Sequence, residues 1–411
     1  MKTNAYITGL GMTHFGKHLD QGLKAIGGSA IRQAIDDAGI QDSQIEAAYV
    51  GNAAAGLITG QECIRGQVVL RGIGLGRIPV INVENACASA STALNQAAAM
   101  VTAGLYDTVL AVGVEKLYSE DKRKTFGAFS GAVDVEALAE VMEKLRKSAE
   151  EGGASAAASG AGEKRSMFMD IYAQAARAHM NAYGTTVEQF AGVSAKNSYH
   201  GSMNERAQFR DVLTVEQVLA EPMIAEPLTR PMCSPIGDGA AAVVVMSERK
   251  VKQLGLFTQS VRIAASSLHS GWDREPGEAG VAEYCIQEAY EEAGVGPEDL
   301  NVIELHDASA LAEIMAYESL GLCLKGEGGR LIDEGVTRLG GRLPVNTSGG
   351  LLRKGHPIGA TGIAQIVELS EQLLGRSGQR QVQGAKVALA HNGGGTIGND
   401  AAAQCITILT I

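Results

Sequence analysis

The chain has 411 residues, of which 45% are hydrophobic, 20% charged and only 4% aromatic, with 52 glycines and a net charge of −11. Such a composition excludes wholesale disorder, and the length accommodates two or three packed units. The acidic balance excludes a general nucleic-acid binder, which needs a basic face against phosphates. The longest apolar run, 240–246, is far short of the roughly 20 residues that span a membrane, so no membrane partner is expected. With no apolar leader after Lys2 and a C-terminal Leu-Thr-Ile unlike the peroxisomal address, the chain reads as cytoplasmic. Six cysteines at 63, 87, 233, 285, 323 and 405 contain no C-x-x-C. Neither a zinc knuckle nor a disulfide framework is expected.

Along the chain, an amphipathic helix stops at Gly39, followed by a short loop and a buried strand at 47–50. A second buried strand, from Val80, turns at Cys87 into an Ala-rich helix, and a third covers 108–112. A long insertion, 119–235, then carries a charged helix (135–150), a Gly/Ala/Ser stretch (152–162) and another helix (168–182). An insertion of this size commonly covers a substrate entrance. After a strand opening at Ile236-Gly237-Asp238, the pattern starts again.

The recurrence is specific. Ile35 to Ile40 is echoed by Tyr290 to Val295 at an offset of 255, and the strand at 47–50 falls on 302–305. Thr92 to Gln96 matches Thr361 to Gln365 at an offset of 269, which puts Cys87 opposite His356. Two α/β halves are therefore expected, 1–118 with 236–258 and 259–411, each a largely parallel sheet covered by helices. A pseudo-twofold relation would bring Cys87 and His356 together.

Cys87 sits at a strand-to-helix turn, where free N–H groups and the helix dipole favour a thiolate and an acyl oxygen. The plain alternative is a small buried thiol. Pro357 suits a first helical position, which leaves His356 just outside a helix start. Glu304-Leu305-His306-Asp307 and Ala390-His391-Asn392-Gly393-Gly394-Gly395 each place a histidine at a strand end, the latter before a candidate anion nest. Asp307 either orients His306 or caps a helix. Gly72-Ile73-Gly74-Leu75-Gly76 runs into Arg-Ile-Pro and does not read as a dinucleotide fingerprint. Lys122-Arg123-Lys124 reads as a solvated charge run.

NACASAST around Cys87, HD at 306–307, GHPIGATG at 355–362 and HNGGG at 391–395 resemble the thiolase superfamily, specifically its sterol-carrier-protein type. The resemblance runs over essentially the whole chain. It implies two similar βαβαβαββ halves with mixed five-stranded sheets in an α-β-α-β-α stack, with 119–235 as the loop domain over CoA and acyl group. It implies Cys87 as nucleophile and His356 as its base. His306 with His356 would form one oxyanion hole, and the N–H groups of Cys87 and Gly393 the other. Coenzyme A would be a substrate, with no permanently bound cofactor and no metal. Arg206, Arg210 and Arg353 are candidate substrate contacts.

The family's second cysteine is missing: His391 opens the last glycine motif and Ala308 follows His306-Asp307. His391 is the candidate replacement acid/base. Some relatives without that cysteine act with a small zinc-ribbon and OB-fold subunit, and one such thiolase subunit splits 2-benzoylsuccinyl-CoA into benzoyl-CoA and succinyl-CoA. The reading is a CoA-dependent acyltransferase on a 3-oxoacyl-CoA, homodimeric, with such a small subunit as a further partner. A partner-dependent retro-aldolase and a decarboxylating ketoacyl synthase are the alternatives, and an acyl-CoA carrier is the non-enzymatic one.

Overall fold

The computed structural model describes residues 3–151, 165–275, 277–398 and 400–411. The Gly/Ala/Ser stretch at 152–162 lies outside them. In chain order come β1 (Ala5–Met12), α1 (Leu23–Ala38), β2 (Ala47–Gly51), β3 (Val80–Val83), α2 (Ser89–Thr102) and β4 (Thr108–Glu115). The inserted segment holds α3 (Met167–Tyr183), and β5 (Gly239–Ser247) returns to the first half. The second half contains β6 (Val261–His269), α4 (Val281–Ala293), β7 (Val302–Glu304), α5 (Ala310–Ser319), α6 (Gly350–Lys354), α7 (Thr361–Leu373), β8 (Val387–Ile397) and β9 (Asp400–Thr410).

Strands run in the order β3-β2-β4-β5-β1-β6-β9-β8-β7. The halves are joined at their edges, because Tyr6 and Ile7 of β1 pair antiparallel with Arg262 and Val261 of β6. Among the described residues the second half contributes four strands to this sheet, and the isolated parallel bridge Ile303–Val345 lies beside its last strand.

Three helix layers sandwich the strands. α1 packs its Ile26, Ile31, Ala34 and Ile35 onto the outer face of the first half. α4 and α5 cover the outer face of the second. Between them α2 and α7 share one buried cluster with strands of both halves, from Val109 and Val243 to Ile263 and Ala388. Small residues make that closeness possible: a methyl group on Gly362 of α7 would lie 2.0 Å from Ser91 Oγ of α2. The repeat is visible in the caps, since α1 and α4 both end on a left-handed glycine, Gly39 (φ 65°) and Gly294 (φ 70°). No helix among the described residues is long and apolar enough to cross a membrane.

Candidate active site

Cys87 is delivered by a strained corner. After β3 the chain reaches Ala86 at φ 47°, a left-handed value that costs a residue with a Cβ, and a single 3₁₀ turn (Ala86–Ala88) leads into α2. From the other half, β8 comes within touching distance: a Cβ on Gly394 would fall 2.1 Å from the Asn85 carbonyl oxygen. Only glycine fits there. His391 to Gly395 therefore lie inside β8, paired to β9, with Gly393 opposite Gln404. They are not a glycine nest beyond a strand end.

His356 also differs from expectation. It lies between α6 and α7, with α7 beginning at Thr361 rather than at Pro357. Its Nδ1 is 2.7 Å from Thr361 Oγ1, and that hydroxyl gives its hydrogen to the Pro357 carbonyl at 3.2 Å. Thr361 therefore accepts from Nδ1–H, which leaves Nε2 as the free base. Asp307 neither orients His306 nor caps α5, whose cap is Ser309. Its carboxyl accepts from the Leu351 and Leu352 N–H groups and from Asn197 Nδ2, anchoring α6 ahead of His356. Behind His356, the buried Glu115 accepts from the N–H groups of Ala53, Ala54 and Gly359.

These corners converge. One donor atom each from Cys87, His306 and His356 lies within 4.8 Å of the others. The two imidazoles meet at 5.1 Å between centroids and 65° between planes. Cys87, His306, His356, His391 and Gly393 all line one cavity of about 1090 Å³. His306 Nε2 and His391 Nδ1 are buried there without a protein partner among the described residues.

Burial sets the protonation states. It pushes the Cys87 thiol up to about 12, against the pull of the Gly395 N–H and its own N–H. The helix-end effect expected to favour a thiolate is outweighed. Burial, then the Lys354 charge, takes His356 down to about 3, and burial takes His391 to about 4. His306 is held well below its ordinary value by burial and then by His356. The resting pair is thus thiol and neutral imidazole.

The three candidate arginines have different surroundings. Arg206 is gripped through both terminal nitrogens by Glu371 and does not line the cavity. Arg210 reaches the Ser202 carbonyl and does not line it either. Arg353 does line it, stacked 5.4 Å from the Phe209 ring and 2.7 Å from Asp211 Oδ1. Thr361, Glu115 and the Gly395 N–H were not singled out in the sequence. Thr361 had a signal, a hydroxyl five residues after His356 within one motif.

The thiolase N-terminal domain family matches residues 5–249, and the thiolase C-terminal domain-like family matches 274–409. An acetyl-CoA acetyltransferase from Methanothermobacter thermautotrophicus is 38% identical over 96% of this chain and 97% of its own. Sterol carrier protein 2 from Rattus norvegicus is 36% identical over 94% of this chain and 69% of its own. The benzoylsuccinyl-CoA thiolase subunit BbsB of Thauera aromatica is 34% identical over 96% of both. Among solved structures, the Ltp2-ChsH2(DUF35) aldolase superposes with a TM-score of 0.77 at 25% identity, covering 99% of this chain and 97% of that one. Human mitochondrial 3-ketoacyl-CoA thiolase in complex with CoA shares the fold, with a TM-score of 0.69 at 17% identity over 100% and 98% of the two chains. The chain belongs to the thiolase family and is a thiolase-type acyltransferase.

Proposed function

We propose that this protein cleaves a 3-oxoacyl-CoA, or runs the reverse condensation, through a thioester on Cys87. Cys87 Sγ passes its proton to His356 Nε2 and bonds to the 3-oxo carbon. The bond between C2 and C3 then breaks. The acyl group stays on sulfur, and the other product leaves as an acyl-CoA enolate. His306 Nε2 donates to the enolate oxygen, and the Cys87 and glycine-motif N–H groups receive the acyl oxygen. The proton that His356 took from Cys87 is delivered to C2 by way of His391, which stands in the place of the family's second cysteine. CoA thiol then attacks the thioester, its proton is taken up by the histidines, and Cys87 is regenerated.

The observation that carries this reading is the 4.8 Å cluster of Cys87, His306 and His356 at one cavity wall, with two partnerless histidine nitrogens beside it. Coenzyme A is a substrate here rather than a resident cofactor. An aromatic, branched or dicarboxylic substrate such as 2-benzoylsuccinyl-CoA is supported by the BbsB relative. It is also supported by Phe126, Phe129, Phe168 and Phe209, four of the chain's seven phenylalanines, which line the cavity. A homodimer in the cytoplasm with a small zinc-ribbon and OB-fold subunit completes the reading. For the second subunit, the support is that the BbsB relative is itself one subunit of a thiolase and that the Ltp2 aldolase is paired with ChsH2(DUF35).

The test is mass spectrometry of the enzyme after exposure to acyl-CoA without free CoA. The peptide bearing Cys87 gains the acyl mass, and Cys87→Ala does not. The aldolase likeness favours a second reading, retro-aldol cleavage without an acyl-enzyme. Cleavage of substrate with Cys87 left unmodified at every time point establishes that reading and refutes the first.

A further inference from the structure

Glu115, the last residue of β4, is fully buried and does not line the cavity. Its carboxyl accepts from five N–H groups. Oε1 takes Asn52 Nδ2 at 3.0 Å and the Lys116 N–H at 3.1 Å. Oε2 takes the N–H groups of Ala53 at 3.2 Å, Ala54 at 3.1 Å and Gly359 at 3.1 Å. Each of these partners is a donor, so a proton on the carboxyl would displace one of them and the ionised form is the one that fits. Burial pushes its proton affinity up, and the backbone N–H groups pull against that. The Lys116 ammonium does not neutralise it, being paired with Asp238 at 2.6 Å.

Four of these donors belong to the half that carries Cys87. Gly359 belongs to the other, in the turn between His356 and Thr361, the hydroxyl that fixes the imidazole's tautomer. The turn is inserted as far as glycine allows. A methyl group on Gly359 would lie 2.9 Å from both Glu115 Oε2 and the Asn52 Cα, and one on Gly113 of β4 would lie 2.7 Å from the Gly359 carbonyl oxygen. β4 pairs with β2, whose Gly51 abuts the Ser89 backbone where α2 begins, two residues after Cys87. The carboxyl therefore ties the His356 turn to the frame that holds the sulfur. Its charge reaches the sulfur too: after burial, Glu115 and then Glu84 push the Cys87 thiol up. The other titratable groups facing the sulfur, Tyr172, His306 and His356, rest neutral.

We infer that Glu115 is a positioning residue for the sulfur–imidazole pair: by holding Gly359 it sets His356 against Cys87, and as a buried anion it opposes a thiolate that has no imidazolium beside it. The inference rests on the thiolase reading above and deepens it. Acyl transfer needs the two groups in register, because a proton moves between them as the sulfur attacks. Alkylation of the sulfur by a small reagent needs only a thiolate. The two reactions therefore report on the two actions of Glu115 separately.

The experiment measures acylation of Cys87 by acetyl-CoA, and its alkylation by iodoacetamide across pH, in wild type, Glu115→Gln and Gly359→Ala. Glu115→Gln keeps the volume, removes the charge and turns an amide against N–H donors. It is expected to acylate about tenfold more slowly with KM for the thioester unchanged, while alkylating about threefold faster or more at a given pH. Gly359→Ala moves the turn and keeps the charge, so acylation is expected to fall about tenfold and alkylation to stay within about twofold. It carries the test if the first variant does not fold. A purely structural role slows both reactions together or neither, and either result in folded Glu115→Gln overturns the inference. Acylation within about twofold of wild type in folded Gly359→Ala overturns it too. If acetyl-CoA does not acylate wild-type Cys87, the thiolase reading falls by itself, and the alkylation rates still decide whether Glu115 acts on the sulfur.

Discussion

Lys354→Met isolates a buried ion pair that joins the two histidine-bearing segments. Lys354 Nζ and Glu304 Oε2 are 3.1 Å apart, with side chains 1% and 0% exposed. Each stands two residues before a site histidine, Glu304 before His306 and Lys354 before His356. Glu304 further accepts from the Ser348 N–H at 3.0 Å and the Ser348 hydroxyl at 2.6 Å. Methionine preserves most of the lysine's volume, so the loss is mainly that of charge. Removing one partner of such a pair typically costs 3–5 kcal/mol, because the other charge is left buried. A stranded carboxylate escapes by taking up a proton, which costs an ordinary glutamate about 4 kcal/mol at pH 7 and about 1 kcal/mol at pH 5. Urea denaturation is therefore expected to show Lys354→Met about 3–4 kcal/mol less stable than wild type at pH 7, with the deficit shrinking toward pH 5. Adding Glu304→Gln to it should recover part of the loss. A deficit below about 1 kcal/mol at pH 7, or one that does not change with pH, refutes the reasoning.

Two further outcomes follow from the site. Thr361→Val removes the acceptor for His356 Nδ1–H and is expected to lower kcat by about tenfold to a hundredfold with little change in KM, while Thr361→Ser restores it; an unchanged kcat would show that the tautomer is set by another group. Because burial raises the Cys87 thiol to about 12 and lowers His356 to about 3, alkylation of Cys87 by iodoacetamide should keep rising from pH 6 to pH 9, by about tenfold per unit. A plateau already reached at pH 7 would mean a resting thiolate–imidazolium pair and contradict the assignment.

The internal repeat made the central juxtaposition legible. An offset of 269 positions set Cys87 opposite His356, and the folded chain brings their reactive atoms within 4.8 Å. Local chemistry that depends on a distant partner was not legible. Arg206 looked available for substrate because nothing nearby in sequence shows Glu371, 165 positions on, reaching back from α7. Asp307 looked like a neighbour's helper, yet its partners are the N–H groups of Leu351 and Leu352. The run of glycines at 393–395 reads as an anion nest after a strand end. Its actual constraint is steric, since β8 must pass against the Asn85 carbonyl. Edge pairing of β1 with β6 was equally hidden, because two residue pairs leave no periodic mark in the sequence.

The electrostatic state of the site bears on how the missing second cysteine is tolerated. Burial lowers the affinity for protons at His306, His356 and His391 and raises it at Cys87. The four groups therefore rest without net charge. The reaction as proposed creates charge only in passing, an imidazolium at His356 and an enolate at substrate oxygen, and each needs a compensating partner already in place. His306 Nε2, buried and partnerless, supplies one such donor at no cost in broken hydrogen bonds. His391 Nδ1 is in the same condition on the neighbouring parallel strand. A second thiol held at a comparably buried position would resist ionisation as Cys87 does. A neutral imidazole exchanges its proton across a smaller gap near pH 7, so histidine is a chemically competent substitute for the absent cysteine.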